Sequence, residues 1–176
     1  MKVFVDIDTQ CDFINSDGAL YVLGAEKLKP ILAKINKLAK DEKIPILKTM
    51  DCHTPNDKEF AVFPPHCIQD TVGQASIRET AANSAITFPK ATYNIFDKEL
   101  GNSLFEKYLK DNNVHEAWVY GVATDFCIRA AVLGLCRLGI TTYVFENAIA
   151  GVNPETTEVA IKEMRAAGAH MAVAKL

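Results

Sequence analysis

Ala117-Trp118-Val119-Tyr120-Gly121-Val122-Ala123-Thr124-Asp125-Phe126-Cys127 is the stretch whose reading decides the fold. Ala117 to Tyr120 reads as a short buried strand, Gly121 opens a tight turn, and Phe126 to Leu138 is apolar nearly all round. A run that is apolar on every face is a buried helix, and Gly139 is placed to end it. Buried strands alternating with helices are the mark of a parallel sheet covered on both faces.

The same alternation extends outward in both directions. Upstream, Val3 to Asp8 is a buried strand that ends in carboxylates, and Ala25 to Asp41 carries Leu28, Ile31, Leu32, Ile35 and Leu38 at a helical period. Ile44 to Met50 predicts a second strand and Ile86 to Lys90 a third, with a helix near Ser103 to Asn112. Downstream, Thr141 to Phe145 and Met171 to Ala174 predict strands around a helix from Pro154 to Ala167. Cys52 to Gln74 is a long Pro- and Asp/Asn-rich connection, and such loops tend to carry function. The expected fold is a three-layer α/β/α domain with a mainly parallel sheet, one domain over residues 1–176.

Composition narrows the function classes. The chain is 49% hydrophobic and 23% charged with a net charge of −3, which is globular and gives no basic face for nucleic acid or an anionic membrane. The five cysteines are odd in number and form no C-x-x-C pair, which predicts reduced thiols and a cytoplasmic location. No apolar run approaches the ~18–20 residues of a membrane span, and the N-terminus lacks signal-peptide character.

In an open α/β sheet, ligands bind beyond the carboxyl ends of the strands. Asp8, Asp51 with His53, Lys90, and Thr124 to Cys127 all fall there. Thr124 or Asp125 is expected to cap the helix, which puts Cys127 in its first turn, where the dipole favours thiolate. Free N–H groups of Ala123 and Cys127 would hold an oxyanion. A thiol that attacks an amide needs a base and a cation, for which Asp8 and Lys90 end neighbouring strands. Asp8 would need burial to raise its pKa, with Phe13 and Phe126 as candidate apolar walls. The plainer reading makes Cys127 a small core residue, Asp8 a surface carboxylate and Lys90 a solvated strand end.

Asp51-Cys52-His53, then Glu59, then Phe63-Pro64-Pro65-His66 offers carboxylate and imidazole ligands within one segment. Asp-x-His on a strand puts both side chains on one face, and a mixed N/O set suits zinc, iron or manganese. The plainer reading is turn chemistry ahead of Thr54-Pro55.

These pieces together resemble the nicotinamidase branch of the isochorismatase-like cysteine hydrolases. The matches follow the family's order: D-x-Q-x-D-F as Asp8-Thr9-Gln10-Cys11-Asp12-Phe13, then Asp51-x-His53, Pro64-Pro65-His66-Cys67, Lys90, and Gly121 to Cys127. The resemblance implies a catalytic triad of Cys127, Asp8 and Lys90, with an oxyanion hole at Ala123 and Cys127 and a cis peptide before Ala123. It implies one divalent metal, zinc before iron or manganese, on Asp51, His53, Glu59 and His66, bound to the ring nitrogen of the substrate. It also implies Phe13 and Phe63 beside the ring of a small aryl amide such as nicotinamide. Glu59 stands where many relatives have His, and Phe63 where an indole is common. A homo-oligomer is left open.

Three other readings compete. Asp6-Ile7-Asp8-Thr9-Gln10 resembles the D-x-D-x-T first-strand motif of haloacid-dehalogenase-type phosphatases in its paired Asp, with Gln10 where the Thr belongs and alternation putting Asp6 and Asp8 on one face. A related amidase for carbamoyl, ureido or biuret-type substrates would share the triad but not the metal ligands. A non-catalytic binding module would need neither.

Overall fold

The computed structural model describes residues 1–81 and 85–175. Six strands form one sheet: β1 (Lys2–Ile7), β2 (Ile46–Asp51), β3 (Ile86–Lys90), β4 (Glu116–Val122), β5 (Thr141–Ala150) and β6 (His170–Ala172). Their spatial order is β3-β2-β1-β4-β5-β6, and every pairing is parallel. The order reverses between β1 and β4, the point where such sheets open a crevice for ligand.

The helices are α1 (Cys11–Ile14), α2 (Lys29–Asp41), α3 (Ser103–Asp111), α4 (Arg129–Arg137) and α5 (Pro154–Ala166). Because side chains alternate along a strand, each strand feeds two cores. Val3, Val5 and Ile7 of β1 pack with Phe105, Leu135 and Met164 on the face covered by α3, α4 and α5. Phe4 joins Leu32, Ile35 and Tyr120 on the face covered by α1 and α2. The predicted α/β alternation and its three layers are what the chain forms.

Several boundaries differ from the sequence reading. The stretch Ala25 to Asp41 opens as a 3-10 turn over Ala25–Leu28, and α2 starts with Pro30 in its first turn, where proline's missing N–H costs nothing. β5 runs on to Ala150, past the predicted end at Phe145, so that Gly121 and Val122 still find partners in Ile149 and Ala150. Gly121 lies at φ +122, and a Cβ there would stand 2.0 Å from the Ile7 carbonyl oxygen, so only glycine lets β4 pass β1 at this point. No helix among the described residues is long and apolar enough to cross a membrane.

Leu135 is fully buried in the core beneath α4. Leu135→Ala is expected to lower unfolding free energy by about 2–5 kcal/mol in urea titrations, the range for a leucine cavity. Val159→Ala, at a half-exposed site on α5, should stay within about 0.5 kcal/mol.

Candidate active site

Thr49 and Asp51 of β2 and Lys90 of β3 lie on the strand face of Leu47 and Phe88, which is the α3–α5 side. Simple alternation would put Asp8 on the opposite side with Phe4 and Asp6. It does not go there, because Asp8 adopts a left-handed backbone, φ +49, at the end of β1. Its carboxylate joins the other group: Thr49 Oγ1 donates to Asp8 Oδ1 at 2.6 Å, and Lys90 Nζ lies 2.8 Å from Asp8 Oδ2. Lys90 also donates to Asp51 Oδ1 and lies 3.7 Å from Cys127 Sγ. Atoms of Asp8, Asp51 and Cys127 all fall within 4.8 Å of one another. The three strand tips therefore converge on one ammonium.

Asp6 stays behind. Thr9 Oγ1 donates to Asp6 Oδ1 at 2.7 Å, and Lys48 Nζ lies 3.3 Å from Asp6 Oδ2. The two aspartates each have their own cation, and the expectation that they share a face fails at the Asp8 turn.

The helix that carries Cys127 begins differently from its prediction. A wide π-type turn, Thr124–Ile128, precedes α4, and its N-cap is Ala123 with no side-chain hydrogen bond. Neither Thr124 nor Asp125 caps it. Asp125 instead accepts from Val152 N–H at 3.0 Å, Asn153 N–H at 3.2 Å and Thr156 Oγ1 at 2.6 Å, which ties this turn to the start of α5. The peptide between Val122 and Ala123 is cis. Cys127 is 8% exposed and forms part of the wall of a cavity.

Burial dominates the electrostatics. It raises the Asp8 pKa above the ordinary carboxylate value; Lys90 opposes the rise and Asp51 adds to it. Burial works against ionisation of Asp51 too, but Lys90 and the two imidazoles that face its carboxylate outweigh it and hold that carboxyl below the usual range. Burial likewise pushes the Cys127 thiol well up, with Lys90 opposing and the two carboxylates adding to the rise. The helix start was expected to favour thiolate; burial and the neighbouring acids work in the opposite direction, toward the thiol.

The loop from Cys52 to Gln74 folds back on β2. His53 N–H donates to Cys67 O at 3.1 Å and Gln69 N–H donates to His53 O at 2.9 Å, so His53 and His66 meet with ring centres 4.8 Å apart. His66 Nδ1 lies 2.7 Å from Pro64 O, a contact that calls for the proton on Nδ1 and leaves Nε2 with a free lone pair. That nitrogen is 3.6 Å from Asp51 Oδ2, while His53 Nε2 is 3.8 Å from the same oxygen and 3.9 Å from Glu59 Oε2. Asp57 stands 3.1 Å from His53 Nδ1 and accepts from Glu59 N–H at 2.9 Å, a role the sequence reading missed.

A divalent cation fits this set. Atoms of Asp51, His53 and His66 lie within 4.8 Å of one another, and buried His53 Nε2 has no hydrogen-bond partner among the described residues. Burial disfavours a charged imidazole at His53, yet Asp51, Asp57 and Glu59 raise its pKa, so the position favours added positive charge. Glu59 Oε2 approaches His53 from the loop, and Glu59, Asp57 and His53 form a second group of potential donors within 4.8 Å of one another.

Between the cation site and Cys127 lies a cavity of about 150 Å³. Phe13, Leu20, Val22, Phe63, Tyr93 and Phe126 make its apolar walls, with Asp51, Glu59, His66 and Cys127 as the polar groups. Phe63 meets Phe126 edge-on at 5.9 Å, and Phe126 meets Tyr93 at 6.3 Å. Tyr93, Leu20, Val22 and Val152 were not foreseen; each comes from a connection whose path a sequence pattern does not specify.

The isochorismatase domain family matches residues 2–175. The nicotinamidase/pyrazinamidase of Mycobacterium tuberculosis is 30% identical over 97% of this chain and 98% of its own. The nicotinamidase of Escherichia coli is 25% identical over 93% of this chain and 90% of its own. The crystal structure of the pyrazinamidase of Pyrococcus horikoshii in complex with zinc superposes with a TM-score of 0.90 at 29% identity, covering 98% of each chain. The chain belongs to the isochorismatase domain family, on the branch that holds the nicotinamidases and pyrazinamidases.

Proposed function

We propose that this chain is a metal-assisted cysteine amidohydrolase that converts nicotinamide to nicotinate and ammonia through a thioester. One observation carries the reading: Cys127 Sγ lies beside Lys90, within reach of Asp8, in the wall of the cavity that also holds His66 and Glu59. Names of the relatives support the substrate.

Asp8, its basicity raised by burial, takes the thiol proton while Cys127 Sγ bonds to the carboxamide carbon. Lys90 holds the charge of Asp8, Asp51 and the forming thiolate in register. The N–H groups of Ala123 and Cys127 receive the oxyanion. The C–N bond breaks as Asp8 returns its proton to nitrogen, and ammonia leaves. Asp8 then removes a proton from water as the water oxygen adds to the thioester; the C–S bond breaks, the sulfur recovers that proton from Asp8, and the nicotinic acid formed gives its remaining acid proton to solvent as nicotinate.

Asp51, His53, Glu59 and His66 would hold one divalent ion, zinc before iron or manganese given two imidazoles with carboxylates. When bound, it supplies a Lewis-acid anchor for the ring nitrogen. Phe13 and Phe63 flank the ring, and their apolar surface keeps water from the amide. A carbamoyl or ureido substrate would leave the histidine pair without use, and Asp6, paired with Lys48, does not join Asp8 as phosphatase chemistry on that motif would need. The reading includes a single domain and a cytoplasmic setting, in line with five free cysteines.

Cys127→Ala is expected to abolish ammonia release from nicotinamide, and Asp8→Asn to lower kcat by about 10²–10⁴-fold; retained turnover in Cys127→Ala would remove the proposal. Stripping the ion with a chelator should raise KM far more than it lowers kcat, because the ion positions the ring. An unchanged KM in verified metal-free protein would refute that role. Added zinc should raise the melting temperature of the metal-free protein, since binding at 100 Kd contributes about 2.7 kcal/mol. His66→Ala should lose that rise; a full rise in that variant would take His66 out of the ligand set.

A further inference from the structure

Gln10 is fully buried, and the chemistry above gives it no part. Its surroundings supply one. The last ladder bond of β1 runs from Asp8 N–H to Thr49 O at 3.3 Å. In a parallel ladder the Asp8 carbonyl would next accept from Asp51 N–H. The left-handed turn at Asp8 takes that carbonyl away, and it accepts from Gln10 N–H at 2.7 Å instead. Asp51 N–H is still paired, because Gln10 Oε1 accepts from it at 2.8 Å. On the other side of the same amide, Gln10 Nε2 donates to Asp51 O and to Gln74 O, each at 2.8 Å. Both amide hydrogens meet carbonyls and the oxygen meets an N–H, so a single orientation of the amide satisfies the site.

We propose that Gln10 is a positioning residue whose side-chain amide stands in for the missing end of β1 and clamps the backbone of Asp51. Asp51 needs such a clamp because its two oxygens serve different partners. Oδ1 accepts from Lys90, and Oδ2 faces His53 and His66. Both oxygens belong to one carboxylate, so a shift of this residue's backbone moves both contacts together. Gln10 thereby links the geometry of the ion site to that of the Lys90 cluster without touching substrate or ion. The inference rests on the proposed metal reading.

Gln10→Glu keeps the shape and the acceptor but aims lone pairs at the carbonyls of Asp51 and Gln74; Gln10→Met keeps the volume and removes every polar contact. Zinc affinity is measured by chelator competition below the melting temperature, and melting is recorded with and without zinc. In each variant that folds by circular dichroism, zinc Kd should weaken by about 10–100-fold, the scale of lost support around a metal ligand. The zinc-induced rise in melting temperature should shrink accordingly. A purely structural role would lower both melting temperatures together and leave Kd unchanged, and that result overturns the assignment. So does failure of both variants to fold, which would make Gln10 a determinant of the fold. Wild-type protein that takes up no zinc would remove the metal reading itself, and the Gln10 role with it; wild-type uptake with unchanged variants removes Gln10 alone.

Discussion

The ammonium of Lys90, sunk among two carboxylates and a sulfur, is the interaction on which the rest depends. Lys90, Asp8 and Asp51 are each almost fully buried. Taking three charges out of water costs several kcal/mol per ion, and only close pairing offsets it. Surrounding acids more than overcome that penalty at Lys90 and raise its pKa well above the ordinary value, so it stays charged. Around that cation the proton affinities divide: Asp51 is held below the usual carboxylate range, while burial lifts Asp8 and the Cys127 thiol above theirs against the pull of Lys90. A carboxylate that binds a proton more readily than usual, set beside the thiol, suits a reaction in which a proton shuttles between sulfur, carboxylate and leaving nitrogen.

That arrangement explains the division of the site into two halves. Asp51 belongs to both, with one oxygen on Lys90 and the other toward the histidines. The cavity between them is small and mostly apolar, which admits a planar ring and leaves few polar atoms to compete for water. In the proposed reaction, ring anchoring and bond cleavage fall at opposite ends of one short space, with Asp51 reaching toward both. Asp57 adds to this on the loop side, where one carboxylate faces His53 and holds the N–H of Glu59.

Much of this was legible in the chain. A parallel sheet sends its strand ends to one edge, so Asp8, Asp51 and Lys90 could be brought together from strand assignments alone. The histidine segment stood out because Asp-x-His precedes a loop too long to be a mere connection. What escaped was set by single backbone angles or by contacts between distant segments. Asp8 leaves the alternation through one positive φ, which no side-chain pattern announces. The wide turn before α4 replaces a conventional cap because Asp125 is engaged near residues 152–156, a partnership invisible in local sequence. The thiolate expected from the helix start gave way to burial, a property of the assembled sheet. Gln10 carried a motif position but no assignable job until the Asp51 backbone was seen against it.

Hydrolysis by the proposed route passes through a covalent bond to one sulfur. Acid quenching during the first turnover of nicotinamide, followed by peptide mass spectrometry, tests it directly. The prediction is a nicotinoyl group on the peptide that contains Cys127 and on no other cysteine peptide. Product formation with that peptide unmodified, or with the acyl group on Cys52 or Cys67, would contradict it.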